Sequence, residues 1–188
     1  MSHDVKKLPV MQASCYSMCM DILEVIRNRS TAKSFDNRPV DTKVMDRILE
    51  AARLAPSAKN RQAWRFVAVG KEESKKVLKE ACYGDERVMS AGYVVAACTT
   101  NIRYTMPNGQ PSHPLDLAFA VSFMCLQAEH EGLGTAILGT YDERTVKDLL
   151  TVPHAMQVVL LLAVGHRVDE PGIQERLPSD RVISYDHW

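Results

Sequence analysis

Apolar positions along this chain follow two alternating rhythms. Behind Asp41, the side chains Val44, Ile48, Ala51 and Ala52 recur at three- and four-residue spacing until Pro56 interrupts them. That spacing predicts an amphipathic helix with Asp41 as its N-cap. A shorter helix is predicted over Asp21 to Asn28, and a charged one from Glu72 to about Ala81 with Val77, Leu78 and Ala81 inward. Between them lie unbroken apolar runs of strand length: Phe66–Val69, Tyr93–Cys98, Thr135–Leu138 and Gln157–Val164. Asp142 supplies a cap for a further helix before the last of these.

One helix departs from the amphipathic rule. From Pro114 to Glu131 the chain places Leu115, Leu117, Phe119, Val121, Phe123, Met124 and Leu126 on nearly every face, and Gly132 ends the run. Such a helix is expected at the centre of the fold or in a subunit interface. The segment 172–188 is polar yet carries Leu177, Val182, Ile183, Tyr185 and Trp188, more apolar surface than a lone chain readily buries. It reads as a C-terminal arm that docks on a partner.

Composition narrows the function classes. The 188 residues suit one domain over 1–188, with residues 1–20 as an N-terminal extension. Lys plus Arg and Asp plus Glu both number 23, so no global field favours nucleic acid or an anionic membrane. The longest apolar run, Val158–Val164, is far short of the roughly 20 residues that span a bilayer. A cytoplasmic location is expected. Five cysteines are an odd number scattered through apolar sequence, which speaks against a disulfide framework. Cys15 and Cys19 read as thiols on one helical face, since no nearby pair completes a metal set.

Three segments offer chemistry. Arg29-Ser-Thr-Ala-Lys33 gathers two cations, two hydroxyls and backbone amides after a helix, which suits a phosphate; the alternative is a solvated basic helix end. Pro56-Ser-Ala-Lys-Asn-Arg-Gln-Ala-Trp64 can present amides to a heterocycle edge, or can be an ordinary turn in which Asn60 bonds its own backbone. Gly132-Leu-Gly134 through Gly139-Thr140 lacks dinucleotide-loop spacing, although Gly139 permits close approach of a planar ligand. His113 reads as a helix-start cap beside Ser112 and Asp116. No metal spacing, nucleophile elbow or P-loop occurs, so a cofactor is the natural carrier of chemistry.

Taken in order, these segments resemble the FMN-dependent nitroreductase family over about Ile22 to Leu177. Arg29-Ser-Thr-Ala-Lys-Ser-Phe35 is similar to the family's opening arginine-and-serine segment. Ala55-Pro-Ser-Ala-Lys-Asn-Arg-Gln-Ala-Trp64 is similar to its Ala-Pro-Ser-x-x-Asn-x-Gln-Pro-Trp signature, and Asp116, Gly132–Thr135, Gly165 and Arg176-Leu-Pro match later landmarks. The resemblance implies an α+β fold with a mostly antiparallel central sheet surrounded by helices, in an intertwined homodimer that exchanges C-terminal arms. It implies FMN bound through Arg29, Ser30, Thr31, Lys33, Pro56, Ser57, Asn60, Gln62, Gly139, Thr140 and Arg176. Arg29, Thr31 and Arg176 then serve the phosphate and ribityl chain, Lys33 and Asn60 the pyrimidine edge, Gln62 the ribityl side, and Gly139-Thr140 flavin N5. Hydride passes from NADH or NADPH through the flavin to an electron-poor acceptor, nitroaromatic or quinone-like, in ping-pong fashion. The alternatives on the same scaffold are FMN binding without nicotinamide-dependent turnover, reductive dehalogenation and oxygen chemistry. Ser30 stands where a second arginine or histidine is often found, Ala63 where proline is usual, and Gln174 where some members carry another cation. The middle region is short, leaving Tyr104–His113 to shape the acceptor pocket.

Overall fold

The computed structural model describes residues 21–172 and 175–188, so the expected extension at 1–20, with Cys15 and Cys19, lies outside the described residues, as does Gln174. Four strands, β1 (Trp64–Val69), β2 (Tyr93–Thr99), β3 (Gly134–Leu138) and β4 (Gln157–Gly165), form one sheet in the order β1-β2-β4-β3. Every neighbouring pair is antiparallel. The helices are α1 (Ile22–Asn28), α2 (Thr42–Arg53), α3 (Glu72–Ala81), α4 (Glu86–Ser90), α5 (Ser112–His130) and α6 (Glu143–Leu150). The expected α+β class with a mostly antiparallel sheet is the one observed.

The central strands are apolar throughout because both of their faces are covered. Val94, Ala96, Cys98, Leu161 and Ala163 pack with Leu78 of α3 and Val146 of α6. The alternate residues Val95, Ala97, Leu162 and Val164 pack with Ile48 of α2 and with Leu117 and Met124 of α5. A bulge resets this parity: Ala97 opposes Leu160, but Cys98 opposes Val158. Val158 therefore joins Leu161 on the α3 and α6 side instead of sharing a face with Leu162.

Three local expectations shift. In α2 the buried residues are Met45, Ile48 and Ala52, while Val44 and Ala51 are half-buried, so the inward stripe is turned toward Met45. α5 begins at Ser112, ahead of Pro114, because a first-turn proline forfeits no intrahelical bond. His113 is not its cap. Pro111 occupies the N-cap position with φ −65°, no side chain caps the turn, and His113 Nδ1 is buried without a partner. The other end behaves as read: Gly132 at φ +73° lets its own N–H reach Glu129 C=O at 3.0 Å and the Leu133 N–H reach Ala128 C=O at 2.8 Å.

Burial predicts the behaviour of the described cysteines. It pushes the thiols of Cys82 and Cys98 up to about 11 and raises that of Cys125 as well. Iodoacetamide at about pH 8 is expected to leave all three unmodified in the folded protein and to label them after denaturation, as read by peptide mass mapping. Native labelling of Cys98 would contradict its burial within β2.

Candidate functional site

After α1 the chain runs extended along the outer edge of β3. Its burial alternates with the two-residue period of a strand: Ser30 and Ala32 are buried, Arg29 is half-buried, and Thr31 and Lys33 are exposed. Thr31 forms a single parallel bridge with Thr135, and the Ala32 N–H donates to Thr135 C=O at 2.9 Å. Gly134 makes this approach possible, since a Cβ there would stand 2.9 Å from Arg167 Cβ and 3.0 Å from Ala32 Cβ. The polar groups of Arg29, Thr31 and Lys33 are thus arrayed on a rigid edge. Among the described residues neither Arg29 nor Lys33 makes a salt bridge.

Beneath this edge lies a clamp built on Arg167. Its Nη2 donates to Ser30 Oγ and to Asp169 Oδ2, both at 3.0 Å, and Asp169 Oδ1 accepts the Lys33 N–H at 3.0 Å. The Arg167 and Asp169 side chains are only 12% and 20% exposed. Burial works against the charge on Asp169, but the bonds from Arg167 and the Lys33 amide outweigh it and hold the carboxyl below its ordinary value. Glu129 of α5 faces the same cations; burial raises its carboxyl against the fields of Arg167 and Arg29. Ser30 is therefore not an outward ligand, because its hydroxyl is turned inward onto Arg167.

The second segment folds at the other end of α5. Pro56 is exposed and leads into a 3₁₀ turn, Ala58–Asn60, whose first N–H donates to Asp116 Oδ1 at 2.8 Å. Lys59, Asn60 and Gln62 adopt left-handed conformations at φ 54°, 53° and 51°. Ser57 Oγ accepts the Gln62 N–H at 3.0 Å, and Gln62 Nε2 donates to Asn60 Oδ1 at 3.2 Å. The Asn60 side chain thus meets Gln62, not its own backbone. Non-glycine residues in such conformations cost of order 1 kcal/mol each and persist where surrounding structure over-determines them.

The two segments do not meet. Asp116 anchors one and Glu129 lies beside the other, about 20 Å apart along a helix rising 1.5 Å per residue. No hydrogen bond among the described residues joins them. Gly139 and Thr140 follow β3 at the end opposite Thr135, both exposed, and a Cβ on Gly139 would meet nothing within 4 Å. Among the described residues no atom stands close enough to require a glycine there. Arg176 lies in the exposed stretch 175–188. Within one chain the Arg29–Lys33 and Ser57–Gln62 segments therefore stand near opposite ends of α5, while Gly139, Thr140 and Arg176 lie elsewhere.

Sequence reading missed Arg167 and Asp169 as partners of the Arg29 segment, although a cation and a carboxylate two residues apart after a strand were the available signal. It also missed the stacking of Arg61, whose guanidinium carbon lies 3.9 Å from the Tyr104 ring centroid.

Comparison with known proteins places these segments in context. The model of the nitroreductase family matches residues 26–88 and 73–166. A putative NADH dehydrogenase/NAD(P)H nitroreductase of Archaeoglobus fulgidus is 28% identical over 169 residues, covering 86% of this chain and 96% of the relative. An FMN reductase [NAD(P)H] of Bacillus subtilis is 24% identical over 179 residues, covering 86% and 72%. The crystal structure of a nitroreductase family protein from Clostridium novyi superposes with a TM-score of 0.75 at 26% identity, covering 82% of this chain and 90% of that one.

The clamp has a measurable signature. Arg167→Met strands Ser30 Oγ and the Asp169 carboxylate, and is expected to lower unfolding stability by about 2 kcal/mol in urea titrations. Asp169 titrates below its ordinary 3.8 in the fold, so its contribution is complete above that pH and is lost as pH falls through the depressed value. The difference between wild type and Arg167→Met should therefore narrow on acidification below 3.8. A gap unchanged by acid would remove Asp169 from the clamp.

Proposed function

The chain belongs to the nitroreductase family, and on that premise we propose that it is an FMN-dependent oxidoreductase moving hydride from NADH or NADPH to an electron-poor small molecule. The observation that carries this reading is the row Arg29, Thr31 and Lys33, presented from a clamped edge and free of salt bridges among the described residues. Two cations and a hydroxyl on extended backbone fit a phosphate with its adjoining chain, and charge-assisted bonds of this kind are about twice as strong as neutral ones. The exposed Gly139, with open space where a Cβ would stand, fits a flat ring approaching the backbone. When bound, FMN supplies reversible two-electron chemistry that no side-chain constellation here provides.

A complete site takes two copies. Leu115, Phe119 and Phe123 form an exposed stripe at four-residue spacing along α5, next to exposed Ile22 and Ile26 of α1. An apolar groove of about 370 Å³ between α1, α2 and α5 continues this surface, lined by Val25, Ala51, Phe123 and Leu126 among others. Two-fold pairing of antiparallel α5 helices covers the stripe and exchanges helix ends. It sets the Ser57–Gln62 loop of one protomer beside the Arg29–Lys33 segment of its partner. Arg176 and the apolar side chains of the tail would reach the partner in the same assembly. No helix of the described residues is long and apolar enough to cross a membrane.

The reading is tested by anaerobic titration of FMN-reconstituted protein with NADH and NADPH. Bleaching of the oxidised flavin band is expected, and a bound flavin that neither reductant bleaches would leave a binding protein without this turnover. Arg29→Ala should weaken FMN retention at least roughly tenfold, with unfolding of the FMN-free protein little changed. Phe119→Asp places a charge in the proposed interface. Sedimentation should show a monomer that no longer retains FMN, whereas a flavin-loaded monomer would refute the two-chain site.

A further inference from the structure

The loops that carry the second segment and the short middle region meet through an aromatic platform. The Arg61 guanidinium carbon stands 3.9 Å from the centroid of the Tyr104 ring, and Lys59 Nζ stands 5.9 Å from it. Tyr104 is half-buried and held on both sides through its backbone: its N–H donates to Asn101 Oδ1 at 3.2 Å, and its carbonyl accepts the Ser112 N–H at 3.2 Å. Asn101 is in turn tied to Thr99 Oγ1 at 3.1 Å, and that hydroxyl donates to Ala63 C=O at 3.1 Å. The platform is therefore fixed to the start of β1 and the end of β2.

A guanidinium placed over a ring at this distance is held by cation–π attraction and can still offer N–H donors to an anion. No hydrogen bond or salt bridge among the described residues engages those donors, nor the Lys59 ammonium. The two loops are one-signed in sequence. Residues 54–65 and 99–115 contain Lys59, Arg61, Arg65 and Arg103 and no aspartate or glutamate, in a chain whose charges otherwise balance. The nearest carboxylate in sequence, Asp116, is buried and receives the Ala58 N–H. A fixed fork of donors in a positive field is a receptor for a carboxylate or phosphate.

We propose that Arg61, held over the Tyr104 ring and seconded by Lys59, anchors an anionic group carried by the electron acceptor, so that the preferred acceptors are planar anionic aromatics and not neutral ones. This rests on the reading above, in which Asn60 and Gln62, the chain neighbours of Arg61, face the flavin. Tyr104 is a positioning residue in this arrangement: it touches Arg61 and sets the direction of its donor edge. The one-signed patch also steers anions toward the site, an effect that falls with ionic strength.

The test uses 4-nitrobenzoate and 4-nitrobenzamide, which share a ring and a nitro group and differ in charge. In the reaction followed, the reduced nicotinamide gives a hydride and solvent a proton, the nitro group becomes nitroso, and one oxygen leaves as water. With FMN-reconstituted enzyme, KM for the benzoate is expected to lie roughly tenfold below that for the benzamide, and Arg61→Ala should bring the ratio close to one. Arg61→Lys should restore part of the ratio, and Tyr104→Leu should erode it without changing net charge. Calorimetric titration with benzoate and benzamide reads the same preference without turnover. Equal KM values in the wild type, or a ratio unmoved by Arg61→Ala, overturn the proposal. A KM rise for NADPH in place of the benzoate would also overturn it and assign Arg61 to the donor's phosphate. Failure of the underlying reading appears separately, as absent or unbleached flavin, while benzoate calorimetry still decides whether Arg61 receives anions.

Discussion

The structure is organised by the length and apolar character of α5. One face of this helix, with Leu117, Val121 and Met124, seals the sheet beside α2. The opposite face still carries Leu115, Phe119 and Phe123 into solvent. Among the described residues no second layer covers it, and a contiguous exposed apolar surface marks an interaction site. The same helix sets the distance between the two polar segments, because Asp116 near its start anchors one and Glu129 near its end lies beside the other. In the proposed dimer, covering the stripe and completing the cofactor site are coupled, because pairing the helices also pairs the segments.

Much of this fold was legible from periodicity. The four strands and five of the six helices follow from apolar runs and caps, with boundaries displaced by a residue or two where tertiary contacts extend them. Asp41 and Asp142 cap as read, accepting the Lys43 and Thr145 amides. The bulge between β2 and β4 left no trace in the sequence, since Val158, Val159 and Leu160 are interchangeable by pattern and only the register shows which of them faces α6. α4 escaped notice because five residues give too little periodicity to read. Met45 was passed over for branched neighbours, although an unbranched side chain fits an irregular gap well.

The site was legible as motifs but not as an assembly. Arg29, Thr31 and Lys33 stand on the edge where a phosphate could meet them, and their alternation with Ser30 and Ala32 is itself a sequence pattern. What the order of residues could not show is the inward turn of Ser30, because that depends on Arg167, 137 positions away. The exchange has a physical logic. With Ser30 in place of a bulkier cation, the buried face has room for a guanidinium arriving from beyond β4, and Gly134 lets the two backbones close around it. A charge thus lies beneath the edge, fixing its backbone through Asp169 and the Lys33 amide, while the outward cations keep their donors uncommitted.

The same distinction between holding and presenting explains the second segment. Three left-handed non-glycine residues within four positions are costly, and glycine at any of them would relieve the strain. Glycine would also return conformational freedom to a loop whose side chains would then point at no fixed target. Ser57, Asp116 and the Asn60–Gln62 contact hold the backbone in place, and its consequence is that Lys59 and Arg61 lie over one tyrosine ring. Among the described residues Arg61 makes no hydrogen bond or salt bridge with its side chain. In the proposed role its charge is oriented ahead of the anion, an arrangement that lowers the entropy cost of receiving it.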